Sequence, residues 1–240
     1  MQKTALITGG NSGIGFATAK LLKEKNYAVT ICGRDEGRVA QAAKELGVTG
    51  VVADMGNPEQ IQHLISHFVD KPLDALVNNA ALARFMPLGF CSSADFDEFF
   101  NVNVRGPLDL IKGVLPSLEK TRGSITNVSS AVVSNGLANA ALYAASKGAL
   151  ESVSKSLAIE FAPVGVRVNV VAPGAVDTPI IHKLGLDEQI IPALKAHMES
   201  TIPLRRYGTA DEIAAVIVAQ LESTYTTGAI WRVDGGVDAS

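Results

Sequence analysis

Along the 240-residue chain, short and almost uninterrupted apolar runs alternate with longer stretches whose apolar residues return every three or four positions. The runs at 4–7, 27–31, 48–53, 73–77, 124–128, 166–171 and 229–233 have strand length, and their lack of a polar face suits strands buried on both sides. Helices are expected between them: from a Gly-rich turn to about residue 26, over 37–46, from 58 onward, over about 93–118 and 142–161, and from 209 to about 221. Two helix starts are sharply marked. Asn57 caps, Pro58 takes the first helical position, Gln60 is placed to close a capping box, and Ile61, Leu64, Ile65 and Phe68 follow as one apolar stripe. Thr209 and Glu212 repeat the capping-box signature. Strands alternating with helices in this way predict an α/β chain, a doubly wound parallel sheet of about seven strands with helices on both faces. Residues 179–203 show only weak periodicity between two prolines and are expected to leave the sheet as a mobile excursion.

Composition narrows the picture. Hydrophobic residues make up 47% and charged residues 19%, which suits a sizeable core and not a disordered chain. A formal net charge of −3 offers no strong field to nucleic acid or anionic membrane. Cys32 and Cys91 are too few for a disulfide framework and lack zinc spacing. His63 and His67 stand four apart but off the apolar stripe, so an exposed helix face is expected, and no metal. The uncharged run 123–146 is studded with Ser, Thr and Asn, which lipid penalises, and MQKTALITGG lacks a signal-peptide core. The expected compartment is the cytoplasm, and 1–240 is expected to form a single domain.

Candidate chemistry begins at TGGNSGIG, residues 8–15, between the first strand and the first helix. Gly9, Gly13 and Gly15 let backbone approach a pyrophosphate, and the helix start supplies N–H groups and partial positive charge. That context makes the sheet Rossmann-type. At the end of the second strand, Gly33 stands where an acidic residue would bind a ribose 2′-hydroxyl, and Arg34 follows. Arg suits a 2′-phosphate through charge-assisted bonds, so NADPH is expected over NADH.

Tyr143 and Lys147 are four apart on one helix and share a face. A lysine charge about 5 Å from a phenol, at an effective dielectric of about 20, favours phenolate by roughly 3 kcal/mol, or about two pKa units. That would move the phenol towards useful acid–base range.

The ordered set of motifs resembles the short-chain dehydrogenase/reductase family over essentially the whole chain: TGGNSGIG, Asp54 after strand three, NNAA at 78–81, NVNVRG at 101–106, NVSS at 127–130, YAASK at 143–147 and PGAVDTP at 173–179. Ala81 departs from the family's usual Gly. The resemblance implies that Tyr143 is the general acid–base, that Lys147 tunes it and holds the nicotinamide ribose, that Ser130 bonds the substrate carbonyl, and that Asn103 anchors a water leading from Lys147. It places Asn11, Ser12 and Ile14 in the phosphate turn, Asp54 and Met55 at the adenine, Asn79 and Ala80 at the adenosine ribose, and Pro173, Gly174, Val176 and Thr178 on the nicotinamide side. Ser129 is the rival to Ser130; strand alternation points the two to opposite sides, and the spacing to Tyr143 favours Ser130. The implied assembly is a homotetramer.

The expected activity is hydride transfer between NADP(H) and a small-molecule carbonyl or alcohol. An enoyl reductase resembles a pattern with Tyr and Lys seven apart, against four here. A non-catalytic NADP(H)-binding regulator or scaffold usually loses Tyr or Lys, and both are present. Leu82, Phe85, Met86, Ala131, Leu137 and Ala138 are candidates for an apolar pocket, with His182 and His197 in the excursion. Val164 stands where carrier-protein reductases often have a basic residue.

Overall fold

Seven parallel strands form the centre of the molecule in the order β3-β2-β1-β4-β5-β6-β9, in a computed structural model that describes residues 2–179, 184 and 189–239. The chain runs β1 (Thr4–Thr8), α1 (Gly13–Glu24), β2 (Ala28–Gly33), α2 (Glu36–Leu46), β3 (Thr49–Val52), α3 (Pro58–Ser66) and β4 (Ala75–Asn78). It continues through α4 (Ser93–Phe100), α5 (Gly106–Glu119), β5 (Ser124–Val128), a short α6 (Val132–Asn135), α7 (Ala141–Phe161), β6 (Arg167–Pro173) and β7 (Val176–Asp177). Last come α8 (Ile191–Thr201), β8 (Gly208–Thr209), α9 (Ala210–Glu222) and β9 (Ile230–Val233). β7 and β8 pair as a separate two-stranded ribbon.

The strand order explains where a ligand fits. From β1 the chain steps outward through β2 and β3, then returns to pair β4 on the other side of β1. Connections on the two sides leave in opposite directions, so a crevice opens beyond the carboxyl ends of β1 and β4. One core holds the α3 stripe, Ile61, Leu64, Ile65 and Phe68, against Leu76, Leu110, Ile111, Val114 and Leu118. Each such side chain contributes roughly 2 kcal/mol by leaving water. The other core, with Ala19, Leu22, Ile31, Ile213 and Ile217, fills the opposite face.

Three local expectations change. Asn57 caps α3, accepting from the N–H groups of Glu59 and Gln60, but Gln60 does not close a box. The Asn57 N–H already donates to the Asp54 carbonyl, and the Gln60 side chain instead accepts from the Asp54 N–H at 2.8 Å. The helix expected over 93–118 is divided by a π-helical turn, Asn101–Arg105. Pro107 has no N–H for an α-helical bond to the Asn103 carbonyl, and Gly106 lies hard against the Met55 carbonyl. Within 179–203 the described part is not an irregular excursion: α8 forms there, anchored by buried Ile191, with buried Ile202 just beyond its end. By contrast, the Thr209–Glu212 capping box of α9 forms in full.

Candidate active site

The Gly-rich turn is laced to the loop after β4. Thr8 Oγ1 accepts from the N–H groups of Asn79 and Ala80, each at 3.0 Å, and Asn79 Nδ2 donates to the carbonyls of Thr8 and Gly9. A Cβ on Gly15 would fall 2.3 Å from the Gly9 carbonyl oxygen, so only glycine lets α1 start this close to the turn. Gly13 has φ of +54° and faces Thr178. The α1 cap residue, Ser12, makes no side-chain bond to the helix, which leaves the first N–H groups of α1 to a ligand.

This turn forms one wall of a cleft of about 690 Å³. Gly9, Asn11, Ser12, Gly13 and Ile14 line it, together with Arg34, Asp54, Met55, Asn79, Ala80 and Thr178. Gly33 makes room for Asn11, whose Oδ1 lies 2.6 Å from where a Cβ would sit. The cradle is therefore backbone-rich, open to the helix start and flanked by a cation, a combination that fits a phosphorylated dinucleotide. Arg38 also lines the cleft, a second cation that sequence reading missed. It stands four residues after Arg34, in the first turn of α2. Pro173 ends β6, Gly174 and Val176 follow it, and none of the three lines this cleft.

The chemical end sits where β5 meets α7. Tyr143 is buried with Ala83 and Phe99, packed by Leu82, Phe85, Phe100, Val132, Leu142 and Leu184. Leu82 and Ala83 also line the cleft, so the two regions share a wall. Of the expected apolar pocket, Leu82 and Phe85 reach Tyr143 while Leu137 and Ala138 are exposed. The Met86 N–H donates to the Asn139 carbonyl, and Ala131 is buried. His182 lies outside the described residues; His197 is exposed on α8, and His63 is exposed on α3.

The Ser130 hydroxyl lies near enough to the Tyr143 phenol to favour the phenolate, while its Oγ accepts from the Val132 N–H at 3.3 Å. Ser129 donates to Glu151 Oε1 at 2.7 Å instead. Both hydroxyls meet α7, contrary to the alternation argument, because both residues lie beyond Val128, the last of β5, where strand alternation no longer applies. Lys147 is buried and its Nζ donates to the Val128 carbonyl at 2.7 Å. Burial pushes Lys147 down to about 8, with the Glu151 charge opposing. Burial also pushes the Tyr143 phenol up, and the Ser130 hydroxyl pulls it back. The expected lowering by Lys147 is thus not the governing influence here. The ammonium is engaged at Val128, and loss of water around the phenol outweighs what favours the phenolate.

Asn103 is fully buried in the π-helical turn. Its side-chain amide brackets the Leu82 backbone, donating to the carbonyl at 2.9 Å and accepting from the N–H at 2.8 Å, and it also donates to Ser146 Oγ. It thereby ties the cleft wall to α7.

With this geometry in place, comparisons with known proteins agree on one family. The family model described as "Enoyl-(Acyl carrier protein) reductase" matches residues 9–238. Carbonyl reductase family member 4 of Xenopus tropicalis is 35% identical over 241 residues, covering 99% of this chain and 98% of that protein. The 3-oxoacyl-(acyl-carrier-protein) reductase FabG of Thermotoga maritima is 37% identical over 245 residues, covering 98% of this chain and 97% of that protein. An actinorhodin polyketide ketoreductase solved with NADPH superposes with a TM-score of 0.91 at 29% identity, covering 100% of this chain and 98% of that one. The chain belongs to the short-chain dehydrogenase/reductase family. Its class is that of the oxidoreductases, as these relatives' names state. Among the described residues no helix is long and apolar enough to cross a membrane.

Proposed function

We propose that the protein is an NADPH-dependent carbonyl reductase, acting on a small ketone or, in reverse, an alcohol. The observation that carries the reading is Ser130 gathered to the buried Tyr143 phenol, with Lys147 buried one helical turn on, next to a cleft that fits a dinucleotide. The bound nicotinamide would supply the hydride. Tyr143 gives its proton to the carbonyl oxygen, and Ser130 donates a second hydrogen bond to the same developing charge. Lys147, held by Val128, keeps a positive charge beside the phenol and is placed for the nicotinamide ribose. Asn103 is the candidate anchor for a water leading from Lys147, since Pro107 cannot close an α-helical bond onto its carbonyl. Pro173, Gly174, Val176 and Thr178 are assigned to the nicotinamide side.

Arg34 and Arg38, both exposed at the cleft, support NADPH over NADH through a 2′-phosphate. The apolar surroundings of Tyr143 favour an apolar or neutral substrate. The cradle follows β1 and the catalytic candidates stand at the end of β5 and on α7 packed against it, all around the seven-stranded sheet, which favours one domain over 1–240. A homotetramer in the cytoplasm is the expected state.

The four-residue spacing of Tyr143 and Lys147 favours carbonyl over enoyl reduction. The test is loss of reduced-nicotinamide absorbance with NADPH against a panel of ketones and an enoyl thioester. Turnover of ketones alone supports the reading. Turnover of the enoyl thioester alone, or NADPH binding with neither substrate consumed, overturns it.

A further inference from the structure

Glu151 is a buried carboxylate for which the proposed chemistry has no task. It stands one helical turn beyond Lys147 and two beyond Tyr143, on the buried face of α7. Three consecutive residues at the end of β5 take hold of this face. The Val128 carbonyl accepts from Lys147 Nζ, Ser129 Oγ donates to Glu151 Oε1, and the Ser130 hydroxyl meets the Tyr143 phenol. Each of three successive turns of α7 thus has one contact with this segment.

We propose that Glu151, tethered by Ser129, is a positioning residue for the Tyr143–Lys147 pair: it keeps Lys147 charged and holds α7 in register on the end of β5. This rests on the carbonyl-reductase reading above. Among the described residues, Glu151 is the charge that counters the burial of Lys147. Other charged groups on the elements that pack on α7 are engaged or exposed. β5, α6 and the turn at 162–164 have no ionisable side chain. Arg167 of β6 donates to the carbonyls of Leu221 and Ser223. On α4, Asp95 and Glu98 pair with Arg84, and Asp97 is exposed; Arg105 of the π-helical turn is exposed too. On α7 itself, Lys155 and Glu160 are exposed, which leaves Tyr143. The Lys147–Glu151 couple is therefore read against a nearly charge-free background.

Glu151→Gln keeps an acceptor for Ser129 and removes the charge. Ketone reduction is followed across pH. Losing the negative charge lowers the Lys147 pKa, so the alkaline fall in kcat/KM moves to lower pH by about one unit, and kcat/KM at about pH 8 drops roughly fivefold. KM for the ketone stays close to wild type, and Glu151→Asp restores most of the profile. Ser129→Ala, which keeps the charge and removes the tether, lowers kcat and moves the limb by less. A folded Glu151→Gln with the wild-type pH profile overturns the proposal. If Glu151→Gln does not fold, Ser129→Ala decides, and a wild-type profile there overturns it. If the wild-type protein reduces no carbonyl, that failure belongs to the functional reading alone. Competitive acetylation of Lys147, read by mass spectrometry over the same pH range, then compares its pKa in wild type and Glu151→Gln, or Ser129→Ala. A downward shift supports the proposal, and equal values overturn it.

Discussion

Lys147 carries its charge at a cost to this fold. Its pKa lies near 8 because it is buried, against 10.5 for an ordinary lysine. The unfolded chain therefore binds more protons than the folded one between these values, and stability contributed by this site rises with pH across that window. In urea denaturation, wild type should gain about 3 kcal/mol relative to Lys147→Met between pH 8 and 10.5, the interval set by burial. A parallel pH dependence in the two proteins would contradict the assignment. The arginines act on selectivity. Arg34→Ala should cut the NADPH/NADH ratio of kcat/KM by roughly tenfold or more, with Arg38→Ala having a smaller effect, because two guanidinium groups share one phosphate. An unchanged ratio in both variants removes the basis for an NADP preference.

At the scale of elements, close backbone approach positions the site. Gly106 sits where the π-helical turn passes into α5, and a Cβ there would lie 2.1 Å from the Met55 carbonyl oxygen. Gly106→Ala should lower stability by about 2 kcal/mol or more and weaken dinucleotide binding, since Met55 lines the cleft. Thermal unfolding with and without NADPH measures both effects. What was legible here follows from local chemistry. β5 appears at the bounds its apolar run suggests, because burial on both faces shows in its composition, and α9 starts at its capping box, because that cap closes between residues three apart. The π-helical turn was not legible: it depends on Met55, some fifty residues upstream, pressing on Gly106. Gln60 misled for a similar reason. Its partner, the Asp54 N–H, comes from the loop before the helix, where the capping-box pattern does not look.

For the whole molecule, alternating strands and helices were enough to imply the doubly wound sheet, and β1, β2, β4, β5 and β6 supply the ends on which the candidate site is built. The motif spacings located the residues that the fold gathers: the turn at 9–15 meets Asn79, and Ser130 meets Tyr143. Burial was harder to read. Nothing in the spacing of Tyr143 and Lys147 shows that Lys147 would turn to Val128, or that desolvation would raise the phenol instead of leaving Lys147 to lower it. Arg38 was missed for a different reason: it is exposed, and its place at the cleft depends on how α2 leaves β2. The central claim is that Tyr143 delivers the proton in carbonyl reduction. It is tested most directly by Tyr143→Phe, assayed with NADPH and the best ketone substrate of wild type. The account predicts a folded protein that binds NADPH with near wild-type affinity and reduces the ketone at least a thousandfold more slowly, on the order of a lost general acid together with its hydrogen bond. Ketone reduction at the wild-type rate in that variant would contradict it.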